Sequence, residues 1–364
     1  MEYASYKYSD LAKKYDNFTA PAYEIHLGGM TLRSDQSKIA SLEVELAADG
    51  TAGGCSFAVE GMYDAAQSEW AGELLENVTL GAKLVVNGGY VRKKELFYGY
   101  VDDYTLDFSP DGAPRVQITG IDGLGFLMSQ REPCYAGQRK AADIVREILN
   151  KSVSAGFAKK VSVGQLQGFE TPLVKEQVDD WRFLNLLGQR YGATLMAVGG
   201  ELIFDTLMDQ SKTILTLTMG QNLQRFQKRM SLAHQVGQVE IFGRDVNQKA
   251  IKGTASSVTV GGSGKSAAQL VPAFKNTVLR EYSEFVRTQE ECRKLAQVRL
   301  NGIAMGLISG EGQCVGIPEL TPGRYLEIDG SDDQVKGLYF LTKVRHLFTQ
   351  ENYQTAFEFK GAKL

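Results

Sequence analysis

Apolar and polar residues alternate with a period of two over much of the chain, and that alternation predicts β-strands. Leu42, Val44 and Leu46 alternate with Glu43 and Glu45, and Leu326 and Ile328 alternate with polar positions ahead of an Asp329-Gly330 turn. Leu338, Phe340, Val344, His346 and Phe348 mark a long strand, and Tyr353, Phe357 and Phe359 mark the next. Residues 316–359 are therefore expected to form an antiparallel meander. Earlier in the chain come a hairpin at Gly28-Gly29, strands at 39–46, 55–59 and 83–86, a long strand at 95–108 and another at 115–119. A helix-like stretch, 64–75, carries Trp70 and Leu74 among them. Seven or so strands around one helix predict a closed or nearly closed antiparallel barrel.

Other segments carry helical spacing. Tyr8, Leu11 and Tyr15 have roughly helical spacing about a candidate cap at Ser9, and Ile144, Val145, Ile148 and Leu149 line one side of 142–149. A further helix opens at Asp179-Asp180-Trp181 and ends at Gly192, and a hairpin turning at Gly199-Gly200 follows it. Residues 288–304 form the clearest helix, with Thr288 and Glu291 in capping-box positions and Gly302 and Gly306 at its end. Between 247 and 276 the chain is rich in Gly, Ser, Lys and Ala, which predicts an exposed or mobile excursion.

The meander has an earlier counterpart. Set without gaps, Gly81 to Gly88 falls on Gly323 to Gly330: Gly81, Leu84 and Gly88 are identical to their partners, Val86 meets Ile328 and Asn87 meets Asp329. The same offset pairs Lys94 with Lys336 and Leu96 with Leu338. With one residue removed from the following turn, Val116, Ile118 and Gly120 meet Phe357, Phe359 and Gly361. Because the order of elements also repeats, duplication of one barrel is expected.

Composition narrows the function. In 364 residues, 43% hydrophobic and 23% charged content describe a folded chain, and a net charge of -3 supplies no basic footprint for specific nucleic-acid binding. No apolar run is long enough to anchor the chain in a membrane, and residues 1–6 lack the features of a signal peptide, so synthesis in a cytoplasm is expected. Cys55, Cys134, Cys292 and Cys314 lie far apart and read as reduced thiols. His26, His234 and His346, each on a strand-like segment, are not at metal-ligand spacing. The pairs Asp102-Asp103, Asp179-Asp180 and Asp332-Asp333 place neighbouring carboxylates on opposite faces if extended; Asp179 and Asp180 read instead as first-turn helix residues. Gly261 to Ser266 ends like a phosphate loop, but Thr259 holds the place of its first glycine, so it reads as a flexible surface loop. Gly123-Leu124-Gly125 lacks a third glycine, with Met128 there. No catalytic residue, metal or cofactor is expected.

As an ordered set these segments resemble the phage late-control protein D and baseplate-hub family. Leu84 to Gly88, Leu96 to Val101 and Val116 to Gly123 resemble its first domain, and Asp180-Trp181-Arg182-Phe183-Leu184 with Gly192 its middle domain. Residues 318–359, with Pro318, Pro322-Gly323, Tyr339 and Val344-Arg345-His346, resemble the end of the hub portion of type VI secretion spike proteins. The positions singled out are Gly81, Leu84, Gly88, Gly120, Trp181, Gly192, Pro318, Pro322, Gly323, Gly330, Tyr339, His346 and Phe357.

The resemblance implies a mainly β fold with an α+β insertion, in which two duplicated tail-tube-like antiparallel barrels accompany a small α+β domain. It divides the chain into an N-terminal arm (1–21), a first barrel (22–128), the α+β domain (129–212) and a discontinuous second barrel (213–246 and 286–364). An insertion, 247–285, is expected to pack near the middle domain. The implied function is a structural baseplate hub of a contractile phage tail or injection particle, a homotrimer presenting a pseudo-six-fold ring. Its implied partners are the inner tube or tube-initiator protein, the central spike, other baseplate subunits, and tape-measure protein or cargo in the lumen. With the chain stopping at Leu364, the spike is expected to be a separate protein. Synthesis in the bacterial cytoplasm and assembly into a virion or particle baseplate would follow. Tyr3, Tyr6, Tyr8 and Tyr15 are expected to pack on their own domain or on a neighbouring subunit. The alternatives are another tube-like ring component, such as a distal tail protein or tube initiator, and a cell-wall hydrolase.

Overall fold

The structure, a computed structural model, describes residues 4–36, 39–70, 73–109, 113–135, 139–166, 168–169, 173–330 and 332–364. A short helix, α1 (Tyr8–Lys14), precedes the strands of a first copy: β1 (Ala22–Leu27), β2 (Met30–Arg33), β3 (Ile39–Ala47), β4 (Gly54–Glu60), β5 (Lys83–Gly89), β6 (Lys93–Asp107) and β7 (Arg115–Asp122). The middle of the chain forms α2 (Ala141–Ser154), β8 (Lys160–Val163), α3 (Asp180–Tyr191), β9 (Thr194–Val198) and β10 (Glu201–Asp205). A second copy opens with β11 (Thr213–Thr218) and β12 (Leu223–Met230). It is interrupted by β13 (Gln238–Arg244), β14 (Ala250–Ala255), β15 (Val278–Tyr282) and α4 (Gln289–Ala304), then completed by β16 (Ile308–Val315), β17 (Tyr325–Asp329), β18 (Gly337–Thr349) and β19 (Tyr353–Gly361).

Both copies belong to one 13-stranded sheet. Its strands run in the order β12-β16-β19-β18-β3-β4-β7-β6-β5-β1-β2, and β11 joins through β17, which pairs with β18. The fold is mainly β and each copy repeats the other's neighbours, β3-β4-β7-β6-β5-β1 against β12-β16-β19-β18-β17-β11. One departure is that β1 runs antiparallel to β5 whereas β11 runs parallel to β17. Among the described residues neither copy closes on itself, as a self-contained barrel would. The outer edge of β3 is taken instead by Lys343–Thr349 of β18, antiparallel to Ser41–Ala47, which satisfies edge N–H and C=O groups across the copy boundary. A single apolar core follows, running from Leu27, Phe57 and Val116 to Leu217, Val344 and Phe357.

Matched irregularities fix the equivalence of the copies. Pairing of β6 with β7 skips a residue between Val101 and Asp103, and pairing of β18 with β19 skips one between Leu341 and Lys343. These β-bulges make Val101 the counterpart of Leu341. Leu338 thus corresponds to Tyr98 rather than the expected Leu96, and Phe357 and Phe359 to Ile118 and Gly120. A slip of two residues keeps every side chain on its own face, so alternation could not detect it.

The α+β unit packs α2 and α3 on the sheet β8-β10-β9 around its own core. A second satellite, β14-β13-β15 with α4, encloses Val239, Ile241, Leu295 and Leu300. The expected boundaries at 246 and 286 cut across this satellite: β13 pairs with the inserted strands and α4 packs on them, while Ala304 at the end of α4 also joins Tyr325 and Phe340 of the second copy. An apolar strand run reads alike in either sheet. Nor is 247–276 a bare excursion: it contains β14 and buries Val260, and the Lys265 N–H donates to the Leu364 carbonyl at 2.6 Å. Trp70, expected on a helix, sits in a two-residue strand opposite Tyr63, and the nearby helix spans only Leu74–Asn77. Edge-to-face contacts with Tyr63 and Phe108 hold its ring instead of a helical face.

The arm packs on its own chain. Its helix is capped at Lys7 rather than Ser9, Leu11 and Tyr15 are buried, and the Tyr6 N–H donates to the Ile214 carbonyl at 2.8 Å. Tyr3 lies outside the described residues.

Candidate assembly site

The junction between copies shows how this fold joins one sheet segment to another. Its core-facing positions, Val344, His346 and Phe348 on β18 and Leu42, Val44 and Leu46 on β3, are all buried. Side chains on the opposite face are charged. Glu45 accepts from Lys343 at 3.0 Å and from Arg345 at 2.6 Å, and Glu43 lies 2.8 Å from Arg345. Partial burial pushes the Glu45 carboxyl up, but hydrogen bonds and charge from Arg345 and Lys343 outweigh this and hold it below its ordinary value. The same face continues as a shallow cleft of about 200 Å³ lined by Arg225, Glu311, Gln313, Lys343, Arg345 and Glu358.

Gly81 and Gly323 occupy equivalent turns. Both have left-handed backbones, φ 79° and 75°, and their N–H groups donate at 2.8 Å to the counterpart carbonyls of Val101 and Leu341. Leu84 packs against Gly120, where a Cβ would strike its side chain, and Gly88 lies beneath the Phe348 ring. Phe357 covers Gly312, Tyr339 donates to the Val335 carbonyl at 2.9 Å, and Pro318 and Pro322 are buried. Gly330 is half-buried, its N–H bound to its own Asp329 carboxylate. Trp181 and Gly192 stand apart on α3: the indole N–H donates to the Gly50 carbonyl at 2.6 Å, tying the helix to the first copy, and Gly192 caps α3 at φ 69°.

Three buried polar clusters brace the frame. Lys14 and Tyr15 of the arm each donate to buried Glu319 at 2.7 Å. Asp179 caps α3 as expected of a first-turn acid, accepting the Arg182 N–H at 2.7 Å, whereas Asp180 is buried against Lys175 and receives Lys151 at 2.8 Å. His346 Nδ1 lies 2.8 Å from the Tyr353 hydroxyl, and burial, aided by the charge of Lys94, pushes its pKa down to about 3. His26 is on β1, but His234 sits in a turn with φ 61° rather than on a strand. The glycines of 261–264 allow close packing, Gly261 on Ala362 and Gly264 on Leu364, rather than forming a flexible loop. No group of His, Cys, Asp and Glu able to hold a metal occurs among the described residues, and among them no helix is long and apolar enough to cross a membrane.

Sequence reasoning passed over β12 entirely. Its core-side residues, Phe226, Lys228 and Met230, are the counterparts of Leu42, Val44 and Leu46, and the lysine breaks the apolar alternation that would have marked a strand. Also passed over were Tyr104, Leu106 and Phe108, which are 37%, 41% and 53% exposed although their counterparts on β18 are buried. A strand whose core-side residues face water beside carboxylates at Asp103 and Asp107 was the available signal.

The duplicated sheet with its α+β satellite defines a tail-protein fold. It is shared with the 43 kDa tail protein of prophage MuSo2 from Shewanella oneidensis, at 14% identity and a TM-score of 0.70 over 93% of this chain and 98% of that one. A tail protein from Neisseria meningitidis MC58 is 12% identical, with a TM-score of 0.68 over 94% and 96% of the two chains. The E. coli c3393 protein, described as a component of the type VI secretion system structurally similar to T4 bacteriophage tail proteins gp27 and gp5, is 13% identical, with a TM-score of 0.55 over 93% and 76%. By sequence, the chain belongs to the Alg8 N-terminal domain family, whose model matches residues 21–350. No curated protein matches it.

Proposed function

We propose that this chain is a structural baseplate hub of a contractile tail or injection particle, of the late-control protein D type. Three chains would form a ring of six tube-like copies joining the inner tube to the central spike. The observation that carries this reading is the internal duplication: two copies with the same strand order, the same bulge and the same left-handed glycine stand side by side in one sheet. A protein with two equivalent copies per chain offers a six-fold surface from three subunits. Likeness to tail proteins supports a mechanical role.

On this reading the singled-out residues hold the frame rather than perform chemistry, and the partners are the tube or its initiator, the spike, neighbouring baseplate subunits, and tape measure or cargo in the lumen. The division of labour between the two copies, the α+β unit and the arm is part of the proposal. Native mass spectrometry of the purified chain at micromolar concentration, with averaged electron micrographs down the ring axis, tests it. A trimer with a central opening and six similar lobes is the expected result. A monomer would overturn the hub reading, and six chains around one ring would favour a tube-initiator role.

A further inference from the structure

Among the sheet edges with no strand beside them in the described residues, two are the counterparts of the edges that join the copies. Within the chain, the second half of β18 pairs with β3. The second half of β6, beyond the bulge at Asp102, pairs only with β7, and β12 ends the sheet, pairing only with β16. By the register already described, Asp103, Tyr104 and Phe108 stand where β18 has Lys343, Val344 and Phe348. Likewise Phe226, Arg229 and Met230 stand where β3 has Leu42, Glu45 and Leu46.

Burial separates the two sets. Val344 and Phe348 are 0% and 1% exposed, whereas Tyr104 and Phe108 are 37% and 53%; Leu46 is 3% exposed and Met230 48%. Apolar positions covered by a neighbouring strand inside the chain are more than a third exposed at the second pair of edges, even though Phe108 keeps ring contacts with Tyr63 and Trp70, the mark of a surface that a partner covers. The charges agree, with their signs exchanged. At the internal junction β3 is acidic and β18 basic; at the open edges β6 carries Asp102, Asp103 and Asp107, and β12 carries Arg225, Lys228 and Arg229. Some of these charges also have contacts within their own sheet, Asp107 with Arg115 at 2.9 Å and Arg225 with Glu311 at 2.7 Å.

We infer that the second half of β6 in one chain pairs antiparallel with β12 of a second copy of this chain, with Tyr104 opposite Met230, Thr105 opposite Arg229, Leu106 opposite Lys228 and Phe108 opposite Phe226. Asp103 then meets Arg229 diagonally, as Lys343 meets Glu45 at 3.0 Å inside the chain. The exchange of signs also rejects wrong unions: β6 against β3 would set acid on acid, and β12 against β18 base on base. Each chain offers one edge of each kind, so the contact is head-to-tail, and it makes a ring when its rotation divides a full turn. The number three rests on the hub reading; the pairing and its register do not.

Cross-linking tests the register. Chains carrying Thr105→Cys are mixed with chains carrying Arg229→Cys, all with Cys134→Ser, since Cys55, Cys292 and Cys314 are buried. Mild oxidation is expected to yield a disulfide-linked dimer in the mixture, and about tenfold less when Lys228→Cys, one residue out of register, replaces Arg229→Cys. In parallel, Asp103→Lys or Arg229→Glu alone is expected to weaken assembly about tenfold, and the two together in one chain to restore it. A trimer that persists with no preference between the cross-linking mixtures overturns the edge pairing and leaves the hub reading standing. An unaltered chain that stays monomeric overturns both.

Discussion

Gly81 and Gly323 adopt the same left-handed conformation in equivalent turns, yet their surroundings set different costs for a side chain. A Cβ at Gly81 meets nothing within 4 Å, whereas one at Gly323 would lie 2.6 Å from Met196 Sδ and 2.7 Å from a Leu207 methyl. Gly81→Ala is expected to cost about 1 kcal/mol from backbone strain alone, and Gly323→Ala roughly 3 kcal/mol or more, compared by urea denaturation. The buried His346 sets a pH dependence at the same scale. Its folded-state pKa, lowered by burial to about 3, lies below the ordinary value of 6.5, so the unfolded chain binds the proton first as pH falls. Stability linked to this group is therefore full above pH 6.5 and is lost progressively towards pH 3. His346→Leu is expected to flatten the fall in stability between pH 6.5 and 4; an unchanged slope would remove His346 as its source.

Elements are tied together by groups whose roles the sequence only half discloses. Asp180 is buried with Lys175 and also holds Lys151, linking the start of α3 to the end of α2. Removing one member of a buried ion pair strands the other, so Asp180→Ala is expected to destabilise the chain by about 3–5 kcal/mol, whereas replacing Asp180 and Lys175 together by Leu and Met should cost much less. Calorimetry of the single and paired variants decides between these outcomes. Strands whose one face is covered were legible because burial imposes alternation: β3, β17 and β19 all read directly from Leu42, Ile328 and Phe357 with their neighbours. Hidden from sequence were features set by a distant partner. β12 has a lysine on its core side because no strand of its own chain covers it. β13 reads the same whether it serves the barrel sheet or the inserted one, and Trp70 follows its aromatic neighbours rather than a helical period. The candidate site was the least legible part, since the glycines and prolines that stand out in the sequence hold turns while the residues at the open edges resemble any solvated strand.

At the scale of the whole molecule, the shared core and the β18–β3 junction make the two copies one cooperative body. Thermal unfolding of the unaltered chain is expected to carry the two copies through a single calorimetric transition. Lys343→Glu with Arg345→Glu places four like charges across that junction, beside Glu43 and Glu45, and is expected to separate the copies into two transitions several degrees apart. A single sharpened or merely shifted peak in the double variant would show that the apolar core alone couples them.

The junction also decides how the molecule bears load. Seven residues of β18, Lys343 to Thr349, lie alongside seven of β3 in antiparallel register. A pull along the strands stretches the whole row of hydrogen bonds at once, in shear, while a pull across them peels the row open one bond at a time. A sheet that runs unbroken from one copy into the next therefore resists tension strongly in one direction and yields by unzipping in the other.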